Sequence, residues 1–298
     1  MMNKKIGLGL ITCNAVEKFN QSVLTVPQVD CFVIVNDGLP YPNTVYPTNA
    51  FVIQHELNCG VGKSKNDALK YLVAQGCDHI FLMEDDVLIK NPEVINKYIL
   101  ASETTGILHF NYALQGPNNF CIPFVKPSFW DKVLNYLGVN SQEISKDAAV
   151  AVPHPKAIIA YENGVSISLY PHCVGAFSYY RKSLLENVGF LDEVFVNAWE
   201  HVEHTYQIIL KGYHPPFWWF ADISSSKSDL SNIENVIEAS TIRKNPLWIE
   251  NSILAENHFK FKTGYVVGDI PTVPKKKVAS FLDKRALVKI KSKVFYAK

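Results

Sequence analysis

No apolar run in this chain reaches the roughly 18 to 20 residues that a bilayer-spanning helix needs. Its lysine-led start, MMNKKIGLGLITCN, is followed by no small-residue cleavage site, so no secretory leader is expected. Internal repeats and low-complexity tracts are missing too, which argues against a solenoid and against long disordered segments. The cysteines at 13, 31, 59, 77, 121 and 173 form no C-x-x-C pair. That scatter predicts reduced, mostly buried thiols in a cytoplasmic protein rather than a disulfide framework. The P-loop pattern GxxxxGK[ST] does not occur, so nucleoside triphosphate hydrolysis by that device is not expected.

What the chain does have is core material. Of 298 residues, 48% are hydrophobic and 19% charged, with 29 basic side chains against 28 acidic, the profile of a soluble globular protein. The charge is unevenly spread, because nine Lys or Arg and a single Asp fall between Pro274 and Lys298. A weakly acidic body thus ends in a basic tail. Either the tail is a solvated terminal helix, or it holds the protein near anionic lipid or nucleic acid.

Two periods alternate in the first third. Short apolar runs at 6–11, 31–35, 51–54 and 79–83 read as buried strands, and 16–26 and 62–75 read as helices. This is an α/β order, implying a mainly parallel, Rossmann-like sheet with helices on both faces and a ligand beyond the carboxyl ends of its strands. After about residue 115 the pattern loosens. The stretch 123–155 has no clear period, 165–170 alternates like a strand, and 181–188 and 199–210 read as helices closed by Gly189 and Gly212. The reading is a first half at 1–115, a second half of the same domain at 116–264, and a basic tail at 265–298.

Chemistry concentrates where predicted strands end. Glu84-Asp85-Asp86 directly follows the strand HIFLM. Adjacent carboxylates repel unless a cation joins them, and Mg²⁺ or Mn²⁺ takes such oxygen ligands and bridges to phosphates; the plain alternative is a solvated acidic turn. Asn36-Asp37-Gly38 closes the second strand, either as a base- or ribose-binding Asp or as a simple turn. Asn58-Cys59-Gly60-Val61-Gly62-Lys63-Ser64-Lys65-Asn66 enters a helix, where backbone N–H groups and lysines can meet a phosphate. Trp199-Glu200-His201-Val202-Glu203-His204 opens another helix with carboxylates and imidazoles, candidates for a general base or for caps. His172, His214 and His258 are candidates for a further metal ligand. Trp218 and Trp219, in an aromatic run, are either a sugar-stacking surface or a core strand.

The order of these pieces resembles the family 2 glycosyltransferases of the GT-A fold. GLITCN, VIVNDG, Asn58 to Asn66, FLMEDDV, Gly175-Ala176-Phe177 before Tyr180-Arg181, Val188 to Phe195 and Trp199-Glu200-His201 each match a segment of that family, over about residues 6 to 212.

The resemblance implies a metal-dependent transferase that moves a sugar from a nucleotide-diphosphate sugar, a UDP-sugar first of all, to a glycan or other hydroxyl acceptor. Surface polysaccharide or lipopolysaccharide synthesis, in the cytoplasm or at the inner membrane face, is the family's usual setting; a modified base in phage DNA is the alternative acceptor. By that resemblance Thr12 and Asp37 hold the nucleotide base, Lys65 stands near the base or diphosphate, Glu84 sits at the ribose, and Asp85 and Asp86 hold Mn²⁺ or Mg²⁺. Where the family has an Asp as base, this chain has His201. An imidazole with a reference pKa near 6.5 is a competent base, and Glu200 is the other candidate. A nucleotidyltransferase of the same fold would need a GxGxR-like signature after the first strand, which ITCNAVEKF lacks. A non-catalytic carbohydrate-binding protein is the remaining alternative.

Overall fold

The computed structural model describes residues 4–113, 155–171, 173, 175–215, 220–233, 246–267, 269–270 and 272–296. The predicted strands of the first third form one sheet: β1 (Ile6–Thr12), β2 (Cys31–Asn36), β3 (Ala50–Gln54) and β4 (His79–Glu84) run parallel in the order β3-β2-β1-β4. The sheet then continues with β9 (Phe177–Arg181), antiparallel to β4, and β6 (His109–Asn111), antiparallel to β9. The second half of the sequence is thereby woven into the first sheet.

Both faces of the strands are buried, which is why they read as unbroken apolar runs. Leu8, Leu10, Phe32, Ile34, Phe81 and Met83 point to one side, toward α1 (Val16–Val23) and α3 (Val94–Thr105). Ile11, Val33, Val35, Ile80 and Leu82 point to the other, where Ala68, Leu69 and Leu72 of α2 (Val61–Ala74) cover them. On that second face β1 carries glycines. A Cβ at Gly9 would lie 2.7 Å from the Ala68 methyl, and one at Gly7 would lie 2.7 Å from a Leu72 methyl, so the missing side chains let α2 settle close against the strand.

A four-stranded antiparallel sheet is built alongside from β7 (Ala157–Tyr161), β8 (Ser166–Tyr170), β10 (Phe220–Ile223) and β12 (Ile290–Phe295), in the order β10-β8-β7-β12. A short ribbon pairs β5 (Val87–Ile89) with β11 (Leu230–Asn232). The helices predicted near 181–188 and 199–210 are α4 (Lys182–Val188) and α5 (Glu200–Leu210), and after the brief α6 (Ser226–Asp229) comes α7 (Trp248–Thr263). Most of the aperiodic stretch at 123–155, together with His172, Trp218 and Trp219, lies outside the described residues.

Two expectations are corrected. The basic segment is no separable tail. Its helix α8 (Lys275–Arg285) buries Val278 and Leu282, its strand β12 pairs with β7, and the N–H groups of Leu287 and Val288 donate to the Thr104 carbonyl. A short apolar spacing on the inner face of α8 was the available signal, masked by the lysines around it. Nor are the thiols mostly buried: of the described cysteines only Cys77 is, while Cys59 is exposed. Deleting 274–298 is therefore expected to strip the edge of β7 and abolish cooperative unfolding, read as loss of near-UV circular dichroism and of a sigmoidal urea transition. A truncated chain that melts like the full one would show the segment to be dispensable.

Candidate functional site

A cavity of about 450 Å³ opens beyond the carboxyl ends of β1, β2 and β4, lined among others by Thr12, Asn14, Asp37, Glu84, Asp85 and Asn197. This is the crevice an open parallel sheet offers to ligands. The sequence-predicted Thr12, Asp37, Glu84 and Asp85 thus meet on one wall, although they are far apart in the chain. Backbone strain gathers here as well. Among the described residues the non-glycine positions in the left-handed region are Asn14 (φ 51°), in the lining, and Trp199 (φ 73°), which caps α5.

The acidic turn behaves as a place short of positive charge. Thr12 Oγ1 donates to Asp85 Oδ2 at 2.5 Å and shares a 2.9 Å hydrogen bond with the Tyr41 hydroxyl. Burial pushes the Asp85 carboxyl up to about 7, with Asp86 and Glu84 adding to the rise against the Thr12 hydrogen bond. Burial and the neighbouring Glu84 likewise bring Asp86 to about 7. One oxygen of Asp86, Oδ1, is buried with no hydrogen-bond partner. Such an orphaned carboxylate oxygen fits a divalent cation. Glu84, Asp85 and Asp86 do not bring three ligand atoms to one point; a cation here would be held by Asp86 and Asp85 and complete its shell with phosphate oxygens and water.

Lys65 is engaged by protein groups behind the cavity-lining Glu84. Its Nζ is 2.6 Å from Glu84 Oε1 and 2.8 Å from Glu200 Oε1, and it donates to the Gly175 carbonyl at 3.0 Å, all at 2% exposure. Burial opposes its charge, but Glu200 and Glu84 outweigh that and raise its pKa. With its hydrogens committed, Lys65 clamps α2, the end of β4 and the start of α5 together.

Asp37 is committed in the same way. Its Oδ1 accepts the Cys59 N–H at 2.7 Å and faces His55 Nδ1 at 2.6 Å, and its Oδ2 accepts the Gly60 N–H at 2.8 Å. The loop amides expected at a phosphate are therefore turned onto Asp37, and Lys63 pairs with Asp67. What Asp37 does is shape the loop that enters α2. His55, Asp67, Tyr41 and Asn197 escaped the sequence reading. His55 alone had a signal, since it follows β3 at the same end of the sheet as Thr12, Asp37 and Glu84.

On α5, Glu203 accepts from Lys262 at 2.7 Å and His204 Nε2 faces the Gly189 carbonyl at 3.0 Å, so both fasten the helix to its neighbours. Glu200 and His201 face the clamp. His201 Nδ1 donates to Glu200 Oε1 at 3.2 Å. Burial would raise the Glu200 carboxyl, but Lys65 and His201 hold it well below the usual carboxylate range. For His201, burial works against the charge, yet Glu200 and Cys173 lift it to about 10. Against the 6.5 of a free imidazole this favours the charged form of His201, and Glu200, 3% exposed, is already paired with Lys65 and His201. The imidazole packs on Gly175, whose φ is 69° and where a Cβ would fall 2.5 Å from His201 Cγ.

His214 and His258, the described candidates for a further metal ligand, are both paired within the protein. His214 is buried with Nδ1 donating to the Pro215 carbonyl at 3.0 Å and Nε2 accepting from the Ala221 N–H at 3.2 Å, and burial lowers it to about 4. His258 Nε2 pairs with Asp192 Oδ2 at 2.8 Å.

No family model matches the chain, and no curated protein does. Among solved structures it is similar to the mannosyltransferase PcManGT from Pyrobaculum calidifontis in complex with GDP-Man and Mn²⁺, with TM-score 0.50 and 13% identity over 95% of this chain and 70% of that one. It is also similar to S. aureus TarS 1-349 in complex with UDP-GlcNAc, with TM-score 0.47 and 15% identity over 94% of this chain and 80% of that one. What the first likeness shows is the fold, the glycosyltransferase architecture that the motif order implied.

Proposed function

We propose that this chain, with the fold of the GT-A glycosyltransferases, transfers a sugar from a nucleotide-diphosphate donor to an acceptor hydroxyl with the help of Mn²⁺ or Mg²⁺. The observation that carries the reading is the cavity at the ends of the parallel strands, with Asp85 on its wall, together with the unpartnered oxygen of the next residue, Asp86. Asp86 and Asp85 hold the cation, which neutralises charge on the departing diphosphate when bound. Thr12 orients Asp85, and Asp37 holds the loop against which the nucleotide lies. The acceptor is a glycan hydroxyl, the class the family resemblance favours. No described helix is long and apolar enough to cross a membrane; the exposed lysines of α8 are proposed to meet an anionic surface. A panel of nucleotide sugars with Mn²⁺ tests the function, with release of nucleoside diphosphate expected for one donor. Sugar binding without release from any donor would make the chain a carbohydrate-binding protein.

His201 enters this scheme as a cation held against Glu200 and Gly175 at the start of α5. Its charge is lost only as pH rises through about 10. At saturating donor and metal the rate is therefore expected to stay within about threefold from pH 6 to 9, whereas a base titrating there would raise it about tenfold per unit; the second profile would return the base role to His201. Gly175→Ala should displace the imidazole, because the added Cβ has no room and the backbone is left-handed. The expected loss is about 10²-fold in kcat with donor affinity kept, and an unaffected rate would place the chemistry away from His201.

A further inference from the structure

We infer that Asp37, His55 and Cys59 form a second cation site, one built for Zn²⁺ or a similarly thiophilic ion and separate from the acidic turn. Each offers a ligand atom, and these atoms all lie within 4.8 Å of one another, a convergence that no other His, Cys, Asp or Glu group among the described residues achieves. The donor set is a thiolate, an imidazole and a carboxylate. Such mixed sulfur and nitrogen ligands select zinc over the hard cations that carboxylates alone would take.

The surroundings supply the support that a metal-bound imidazole ordinarily has. His55 Nε2 faces Asp67 Oδ2 at 2.8 Å, and Asp67 is itself pinned by Lys63. Without an ion, Nδ1–H donates to Asp37 Oδ1 at 2.6 Å; an ion would displace that proton, and the Nε2–H donated to Asp67 would then leave the Nδ1 lone pair for the metal. Carboxylate, histidine and metal in series is the arrangement that fixes the tautomer and the ring plane of a ligand. Asp37 is held just as firmly by the Cys59 and Gly60 amides. The 2.6 Å between Asp37 Oδ1 and His55 Nδ1 must open by less than about 1 Å to admit an ion at normal zinc distances. Cys59 is exposed, so ions reach the site from solvent without unfolding, and the fourth position is left to water.

Binding balances as follows. The Cys59 thiol loses its proton to solvent as the zinc–sulfur bond forms, its weak hydrogen bond to the Leu57 carbonyl at 3.3 Å breaks, and any proton on His55 Nδ1 is released as well. No electron transfer is involved. Because Asp37 also lines the cavity, the ion would sit at its rim and lock the loop that leads into α2.

Cobalt(II) added alone to the full-length protein is the direct probe. A thiolate-to-cobalt charge-transfer band with tetrahedral d–d absorption is expected, displaced by one equivalent of Zn²⁺. Cys59→Ser, a change at an exposed position, should remove the band and weaken Zn²⁺ by at least about tenfold, Asp67→Asn should weaken it about tenfold through the ring, and Asp86→Asn should leave it unchanged. Absence of the band in the unaltered protein overturns the site. So does a band or a Zn²⁺ affinity that survives Cys59→Ser, since the thiol would then lie elsewhere. The outcome is independent of whether the protein transfers sugars.

Discussion

Replacing Lys65 with methionine is expected to destabilise the protein by about 3–5 kcal/mol, seen as a fall in the urea midpoint at pH 7. The ammonium is buried between Glu84 and Glu200, and removing it strands the Glu200 carboxylate at 3% exposure with only His201 beside it. The penalty should depend on pH with a definite sign. Glu200's folded pKa lies below its ordinary 4.5, so its contribution is present above that value and disappears as pH falls. The gap between native and variant must therefore narrow on acidification. A second change, Lys65→Met with Glu200→Gln, should recover much of the loss because the stranded carboxylate is gone and His201, without its partner, can release its proton. A gap below about 1 kcal/mol at pH 7 would mean that Lys65 is not the clamp described above.

Asp86→Asn is expected to act in opposite directions on stability and activity. The Asp86 carboxyl has been raised from 3.8 to about 7 by burial and Glu84, so the folded protein holds its proton more tightly than the unfolded chain does. The cost of ionising it begins above pH 4 and is complete above about pH 7. In metal-free buffer at pH 8 the amide variant should be the more stable by about 1–3 kcal/mol, with no advantage at pH 4. With Mn²⁺ at about 100 times its dissociation constant the native protein should gain about 2.7 kcal/mol and the variant almost nothing. Transfer by the variant should be undetectable. A difference in stability that ignores both pH and Mn²⁺ would remove Asp86 from any cation site.

The parallel strands were readable because burial on both faces leaves Leu8 to Ile11, Phe32 to Val35 and Ile80 to Met83 without polar interruption. The acidic turn was readable because like charges side by side are costly unless something resolves them. Partner choice was not readable. Lys65 and Asp37 have the residue types a phosphate or base would want, but their hydrogen bonds go to Glu200 and Gly175, and to His55, Cys59 and Gly60, and nothing local in the sequence tells a lysine that binds ligand from one that binds two helices. For His201 the reference pKa says nothing of the state of its chain neighbour Glu200, which is buried, held by Lys65 and turned onto the ring, and this favours the charged imidazole.

The position of β12 in the second sheet has a consequence for the order of events during synthesis. β7 emerges at 157–161, and its partner on the β12 side is not made until 290–295. Through that interval one edge of β7 stays open in the growing chain, with Ile159 and Tyr161 uncovered, a template for pairing with other chains. The Rossmann-like strands, by contrast, are complete among themselves by residue 84. Assembly of the cavity wall is thus early and local, while closure of the neighbouring sheet is late and non-local. Chaperone dependence and aggregation during expression should track the second sheet, and chains stalled before 290 should be the species that chaperones hold.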